Sequence, residues 1–346
     1  MLLKDFACTL IKWQKQHGRN DLPWQVPDPY ARWISEVMLQ QTQVATVKSY
    51  YRSFLSRFPT VKALAEASED EVMALWAGLG YYSRARNLHR AAKEIVQKYQ
   101  GVFPQSRHEW ESLPGIGRST AAAIVAFSFG AKETILDGNV KRLLARLFAI
   151  EQPLESAAAQ KKLWALAESL LPDEQLDRYI QGLMDLGATV CARSPSCLLC
   201  PFCDACKARQ LGLESKLPLP KVRKERPQKE ATVLLFWYED EFFVVRRRQK
   251  GVWQGLFSLP EFGLLSDEEQ VTEIGKRWGL AVQNCRPMET VVHDFSHYRL
   301  LIYPLAVKVK AKCAEDSDRL WVSYPNMQTV GLPAPIAGIV RAFFQS

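Results

Sequence analysis

Leu113-Pro114-Gly115-Ile116-Gly117-Arg118-Ser119-Thr120-Ala121 lies between two segments of helical period, 107–112 and 118–128. Gly115 and Gly117 allow a sharp backbone turn. The second helix would begin there with its free N–H groups facing outward, a natural seat for a phosphate. A plain corner between two helices can carry the same glycines, so the surroundings decide. Upstream, helical-period segments run at 3–16, 30–58, 61–78 and 84–99; downstream they continue at 139–149, 156–170 and 174–188, with strand signals nearly absent. Past residue 230 the texture changes. ATVLLFWY (231–238), FFVVRR (242–247) and YRLLIYPLAVKV (298–309) read as strands, with helical patterns at about 267–278 and 334–345. Between the two regions lies SKLPLPKVRKERPQKE, where Pro218, Pro220 and Pro227 among alternating charges predict an extended connector. The expected architecture is multidomain: an all-α domain over 1–213, a connector over 214–230 and an α+β domain over 231–346.

The chain's 346 residues, 47% of them apolar or aromatic, rule out disorder and collagen-like or miniature scaffolds, and suffice for two cores without disulfide staples. The formal charge of +8 divides into +5 over 1–213, +3 over 214–230 and zero over 231–346. A basic excess confined to the first domain and the connector suits a polyanionic partner there. MLLKDFACTLIKWQKQ at the N-terminus is an amphipathic helix pattern without the apolar core or cleavage site of a signal peptide. The longest small-apolar run, Ala121 to Phe129, falls far short of the roughly 20 residues of a membrane span. A cytoplasmic monomer with no membrane partner is expected.

Five of the eight cysteines, Cys191, Cys197, Cys200, Cys203 and Cys206, fall within 16 residues. Thiolates this close suit iron–sulfur or zinc, whereas five free thiols would invite oxidation. Spacing leaves both the metal and the ligands open, because Cys197, Cys200, Cys203 and Cys206 alone repeat at two-residue gaps. Asp137, in Ile135-Leu136-Asp137-Gly138-Asn139-Val140, stands 20 residues after Gly117, ahead of an apolar helix that it or Asn139 could cap. Glu36 falls among Trp33, Ile34, Val37 and Met38. Beside an apolar face, desolvation favours a protonated carboxyl, which suits a general acid.

The hairpin resembles the helix-hairpin-helix motif, which grips a DNA backbone without reading bases. Together with the following Asp, the upstream Glu and the cysteine loop, it resembles the endonuclease III superfamily of helix-hairpin-helix DNA glycosylases. Within that superfamily, three motifs look like the adenine DNA glycosylase family: Ser35-Glu36-Val37-Met38-Leu39-Gln40-Gln41-Thr42-Gln43, Gly78-Leu79-Gly80-Tyr81-Tyr82 and Leu136-Asp137-Gly138-Asn139-Val140-Lys141-Arg142. The resemblance covers essentially the whole chain. It implies base excision repair: hydrolysis of the N-glycosidic bond of adenine mispaired with 8-oxoguanine, or less preferred with guanine, in double-stranded DNA. The adenine must first leave the stack, a cost of a few kcal/mol that glycosylases as a class meet. The residue matching Glu36 protonates the base, and the one matching Asp137 stabilises the cationic sugar, which in the family can bond to it transiently before water completes hydrolysis. Asn139 helps hold both, in a two-carboxylate logic shared with glycoside cleavage. Gln41 and Tyr81 would fill and wedge the vacated stack, and Gly115, Gly117 and Ser119 would meet the DNA. Bifunctional relatives carry a lysine where Ser119 stands; a hydroxyl cannot form an imine, so the product is an abasic site with at most slight strand cleavage.

By the same resemblance, the loop 191–206 holds one 4Fe-4S cluster through Cys191, Cys197, Cys200 and Cys206. The gap from Ala192 to Ser196 is one residue shorter than the family's usual six, which makes Cys203 the alternative to watch. Residues 231–346 resemble a Nudix-like domain. The stretch Gly263 to Gly279 offers Asp267, Glu268, Glu269 and Glu273 without the Arg-Glu-x-x-Glu-Glu arrangement that binds magnesium, so no pyrophosphohydrolase activity is expected. Phe295-Ser296-His297 matches the family's 8-oxoguanine-recognition loop, and Trp253 is expected in the core. Three rivals stand against this reading. Ser119 and the second domain oppose a bifunctional lyase; the missing acidic helix opposes a nucleotide pyrophosphatase; a non-catalytic iron–sulfur DNA-binding protein would need neither Glu36 nor Asp137.

Overall fold

The computed structural model describes residues 5–220, 226–249, 251–265 and 268–345. Among the described residues, twelve α-helices come first: α1 (Phe6–His17), α2 (Pro29–Leu39), α3 (Val44–Arg57), α4 (Val61–Glu66), α5 (Glu69–Trp76), α6 (Ser83–Tyr99), α7 (Arg107–Glu111), α8 (Arg118–Phe129), α9 (Gly138–Leu147), α10 (Ala157–Ser169), α11 (Leu176–Asp185) and α12 (Lys207–Gln210). By packing, the chain forms two compact units, Met1–Ala65 with Arg90–Arg223, and Glu66–His89 with Lys224–Ser346. The segment Glu66–His89, helical as its period suggests, therefore packs in the second unit.

In the first unit, α8 is the central piece. Ala121 to Ala126 are all buried, which a helix tolerates only when packed on every side, and the small alanines let neighbouring helices approach closely. Leu10, Trp13, Leu143, Leu144, Ile180 and Leu183 belong to the same core. The segment 30–58, of continuous helical period, is two helices. Asp28 caps α2 through Tyr30 N and Ala31 N, Pro29 opens the helix, and the chain breaks at Gln40–Gln43 before α3. The 61–78 pattern is likewise interrupted, because Ser68 and Glu71 form a capping box that starts α5.

The connector is less free than its composition predicts. Leu217 is 2% exposed within the first unit's core, and Gln228–Glu230 already pair as strand with Arg299–Leu301. The second unit's sheet contains β1 (Gln228–Tyr238), β2 (Glu241–Arg246), β3 (Phe257–Ser258), β4 (Glu261–Phe262), β5 (Val282–Pro287), β6 (Val291–Asp294), β7 (Arg299–Val309) and β8 (Arg319–Ser323). The strand order is β3-β2-β1-β7-β5, with β4 on β1, β6 on β7 and β8 on β2. The parallel β1–β7 pair forms its centre, and α13 (Glu268–Arg277) and α14 (Ala334–Phe344) complete the α+β unit. Leu234, Phe236, Phe243, Val307 and Trp321 form a core with Val271 of α13. On α13, Glu273 pairs with Arg277 at 3.8 Å; Asp267 lies outside the described residues. Among the described residues, no helix is long and apolar enough to cross a membrane.

Candidate active site

Glu36 projects from α2, whose other residues are mostly buried, and is itself partly buried. Burial and the nearby Asp137 carboxylate raise its pKa to about 7, against the opposing pull of Arg32 one helical turn earlier. Arg32 is 4% exposed, lies over the Phe127 ring at 4.0 Å, and has its own pKa lowered by burial. It also lines a cleft of about 280 Å³ with Asn20, Gln25, Phe127, Asp177 and Gln181. The clue to Arg32 in the sequence is its i, i+4 spacing from Glu36. Gln181 and Arg19 both hold the fully buried Asp185, at 2.8 Å each. No pattern in the sequence marks that group.

Asp137 is the N-cap of α9. Its Oδ1 accepts from Val140 N at 2.8 Å and its Oδ2 from Asn139 Nδ2 at 3.2 Å. Asn139 Oδ1 in turn accepts from Arg142 at 2.8 Å, and Arg142 donates to the carbonyls of Gly187 (2.6 Å) and Cys191 (2.8 Å). A continuous hydrogen-bonded line thus joins the Asp137 carboxylate to the start of the cysteine loop. Gly187 makes this approach possible: a Cβ there would sit 2.8 Å from Asn139 Cβ and 2.9 Å from Asn139 O. Gly187→Ala is therefore expected to destabilise the protein by about 2 kcal/mol and to slow any reaction that depends on Asp137. Urea denaturation and a single-turnover rate would check this, and wild-type values in both would refute the steric argument.

Ser119 sits on the other side of Asp137, where its Oγ accepts from Leu136 N at 3.0 Å. Gln40 Nε2 reaches Thr120 Oγ1 at 3.2 Å, tying the end of α2 to the hairpin helix. In the hairpin, Leu113 and Ile116 are buried, while Gly115 (φ +78°) and Gly117, the N-cap of α8, are exposed. Arg118 is held by Glu168 and lies 3.8 Å from the Trp164 ring centroid. Gln41 and Tyr81 share an unusual backbone: both are exposed, non-glycine residues with positive φ, +60° and +49°.

The five cysteines border one small space of about 20 Å³ together with Leu143, Arg146 and Val190. Among the described residues, no three Cys, His, Asp or Glu stand close enough to chelate a single ion. Burial raises the Cys200 thiol to about 12, with smaller contributions from Cys191, Cys206 and Cys197. Cys203 borders the same space, and its thiol donates to Asp204 Oδ1 at 3.2 Å. The loop is fastened by Phe202, stacked on Phe6 at 4.5 Å, and by Arg146. Arg146 donates to the carbonyls of Cys191, Ala192, Arg193 and Leu217 and to Cys191 Sγ.

In the second unit, Phe295-Ser296-His297 forms the turn of the β6–β7 hairpin, closed by Phe295 N donating to Tyr298 O at 2.9 Å. Ser296 and His297 are exposed at its tip, with Oγ and Nδ1 3.4 Å apart. Trp253, expected in the core, is 6% exposed and packs on Phe295 at 5.1 Å. The turn lines a cavity of about 600 Å³ that Tyr81 also borders.

An exposed glycine hairpin, a carboxyl pair and a cysteine loop on one helical unit, followed by a separate sheet unit, define a helix-hairpin-helix DNA repair protein with a Nudix-like extension. In agreement, residues 34–169 match the HhH-GPD superfamily base excision DNA repair protein family and residues 231–342 match the NUDIX domain. A solved thermostable thymine-DNA glycosylase is 30% identical with a TM-score of 0.56, covering 60% of this chain and 97% of that one. The adenine DNA glycosylase of Buchnera aphidicola subsp. Acyrthosiphon pisum is 36% identical over 98% of this chain and 97% of its own length. That of Homo sapiens is 33% identical over 98% of this chain and 74% of its own. The chain belongs to the adenine DNA glycosylase family.

Proposed function

We propose that the chain removes adenine mispaired with 8-oxoguanine, or less readily with guanine, from duplex DNA by hydrolysing its N-glycosidic bond. The observation that carries this reading is the carboxyl pair: Glu36 with a pKa of about 7 beside the capped and hydrogen-bonded Asp137. Two carboxyl groups in unlike surroundings can take unlike roles. Glu36 gives its proton to a ring nitrogen of the adenine, the bond from sugar to base breaks, and the Asp137 carboxylate stabilises the cationic sugar. Water then adds to the sugar carbon, returning a proton to Glu36. The cleft bordered by Arg32 is a suitable receptacle for the extruded base.

Gly115 and Gly117 present the hairpin's backbone to a phosphate, and Gln41 and Tyr81 serve as the wedges that replace the extruded base. Ser119 orients the backbone at Asp137 and cannot form an imine, so the enzyme is monofunctional. Ser296 and His297, exposed at a turn anchored by Phe295, read the altered edge of 8-oxoguanine.

The thiols suit an iron–sulfur cluster, because soft sulfur ligands converge from one short loop on one small space. Cys191, Cys197, Cys200 and Cys206 would hold it, with the Cys203 thiol given to Asp204. Such a cluster supplies a rigid, covalently bonded centre for the loop. Serine substitution at each position should lower bound iron at the four ligands and leave it unchanged at Cys203; unchanged iron after Cys206→Ser would overturn the assignment.

Duplexes bearing one A:8-oxoguanine, A:G or A:T pair, incubated with wild type, Glu36→Gln and Asp137→Asn and then treated with alkali, test the whole reading. Cleavage at the adenine of the first two duplexes is expected with wild type only. No alkali-labile site opposite 8-oxoguanine, or full activity in both variants, would defeat it.

A further inference from the structure

Tyr81 and the Phe295-Ser296-His297 turn are far apart in sequence, yet stand on one compact unit and are joined by an unbroken series of contacts. Tyr81 lies just ahead of α6, whose first turn carries Arg86. The Nη1 of Arg86 donates a hydrogen bond to the carbonyl oxygen of Gln254. Gln254 lies in a tight turn in which Trp253 (φ +64°) and Gly255 (φ +81°) both take left-handed conformations. Two hydrogen bonds close this turn, from Leu256 N to Trp253 O at 3.1 Å and from Gly255 N to Arg247 O at 2.8 Å. Trp253 packs its ring against Phe295 at 5.1 Å and His293 at 5.7 Å, and His293 meets Phe295 edge-on at 4.5 Å.

A second fastening runs alongside. Arg246 grips both carboxylate oxygens of Asp70, the Nη2 to Oδ2 bond being 2.7 Å. The approach is close: a Cβ on Gly255 would lie 3.2 Å from Glu69 Oε1 and 3.8 Å from Arg86 Nη1. A non-glycine residue at positive φ persists only when its surroundings hold it there. At Trp253 the Arg86 bond to the next residue's carbonyl is part of that hold, and the Trp253 ring is in turn the platform of Phe295.

We propose that Arg86 is a positioning residue, which sets the lesion-reading turn against the Tyr81 wedge by clamping the Gln254 carbonyl and, through it, Trp253. The inference rests on reading Phe295-Ser296-His297 as the part that recognises 8-oxoguanine. Arg86 belongs to the second unit and Glu36 and Asp137 to the first, so its effect falls on discrimination between mispairs and leaves the chemical step alone. A guanidinium that simply held a DNA phosphate would behave differently. Its loss would weaken binding to every duplex alike and reduce the salt dependence by about one counterion.

The test is the ratio of single-turnover excision efficiencies on A:8-oxoguanine and A:G duplexes, normalised to active sites, for wild type, Arg86→Gln, Trp253→Phe and the double variant. Arg86→Gln should cut the ratio about tenfold while A:G excision stays within about twofold, and the double variant should lose little beyond the larger single effect, as coupled residues do. An unchanged ratio, equal losses on both duplexes, or additive effects in the double variant would overturn the proposal. If wild type itself shows no preference for A:8-oxoguanine, the reading of the turn fails and not the role of Arg86. The normalisation keeps the ratio readable even where a variant folds in lower yield.

Discussion

Glu36→Gln is expected to lower adenine excision about 10³-fold at neutral pH and at the same time to make the protein more stable above pH 7. Both effects follow from one cause. Burial and Asp137 raise the carboxyl to about 7 from the 4.5 of an ordinary Glu, so near neutrality it is still substantially protonated. A general acid works in that form, so wild-type excision should be level at low pH and fall about tenfold per unit above a pH of about 7. For stability the sign is the reverse of the usual carboxylate case. Between about 4.5 and 7 the folded state binds the proton more tightly than the unfolded one. The stabilisation is therefore fully present below the lower value and is lost as pH rises through the upper, an effect of at most about 3 kcal/mol. A glutamine has no such term. Urea midpoints at pH 5 and pH 8 should show the variant gaining on wild type only at the higher pH, and a parallel pH response in both proteins would contradict the assignment of the raised pKa.

Arg146→Met should cost about 4 kcal/mol of folding stability and most of the iron of the proposed cluster. Arg146 is 3% exposed and donates to the carbonyls of Ala192 (2.6 Å), Leu217 (2.8 Å), Arg193 (3.0 Å) and Cys191 (3.2 Å), and to Cys191 Sγ at 3.4 Å. Methionine preserves much of the length but removes all five bonds, and the buried Leu217 carbonyl and Cys191 sulfur lose this donor at about 1–3 kcal/mol each where water cannot reach them. At Cys191 the sulfur would thus lose this donor, while the carbonyl would keep only Arg142. Arg146→Lys should recover less than half of the loss, since an ammonium cannot fork to diverging carbonyls as a guanidinium does. The checks are the urea midpoint and iron per chain, with wild-type values for Arg146→Met as the refuting result.

Much of the architecture could be read from local pattern, because helical period survives wherever one face is buried. The breaks were harder to read. Gln40–Gln43 interrupts a continuous apolar period where Gln41 turns left-handed, and glutamine carries no turn signal of its own. The short strands β3, β4, β6 and β8 pair over so few residues that alternation has no length in which to appear. Glu36 and Asp137 stood out through their neighbours along the chain. Arg146 and Arg86 did not, because their partners are mostly backbone carbonyls distant in sequence, and a carbonyl is present at every residue. Leu217 shows the same limit: among prolines and charges it reads as linker, and only the folded core shows that it is buried.

The left-handed backbone at Gln41 and Tyr81 has a bearing on how such an enzyme would search. Strain of this kind costs about 1–3 kcal/mol per residue and persists only where the surrounding fold holds it. It is incurred once, at folding, and does not recur at each base pair inspected. The proposed wedges thus meet the duplex preorganised, which reduces the ordering cost of each encounter. A protein that slides along phosphates and must reject a great excess of intact pairs gains speed from that arrangement. Glycine at either position would relax the backbone, remove the side chain and slow every inspection that still succeeded.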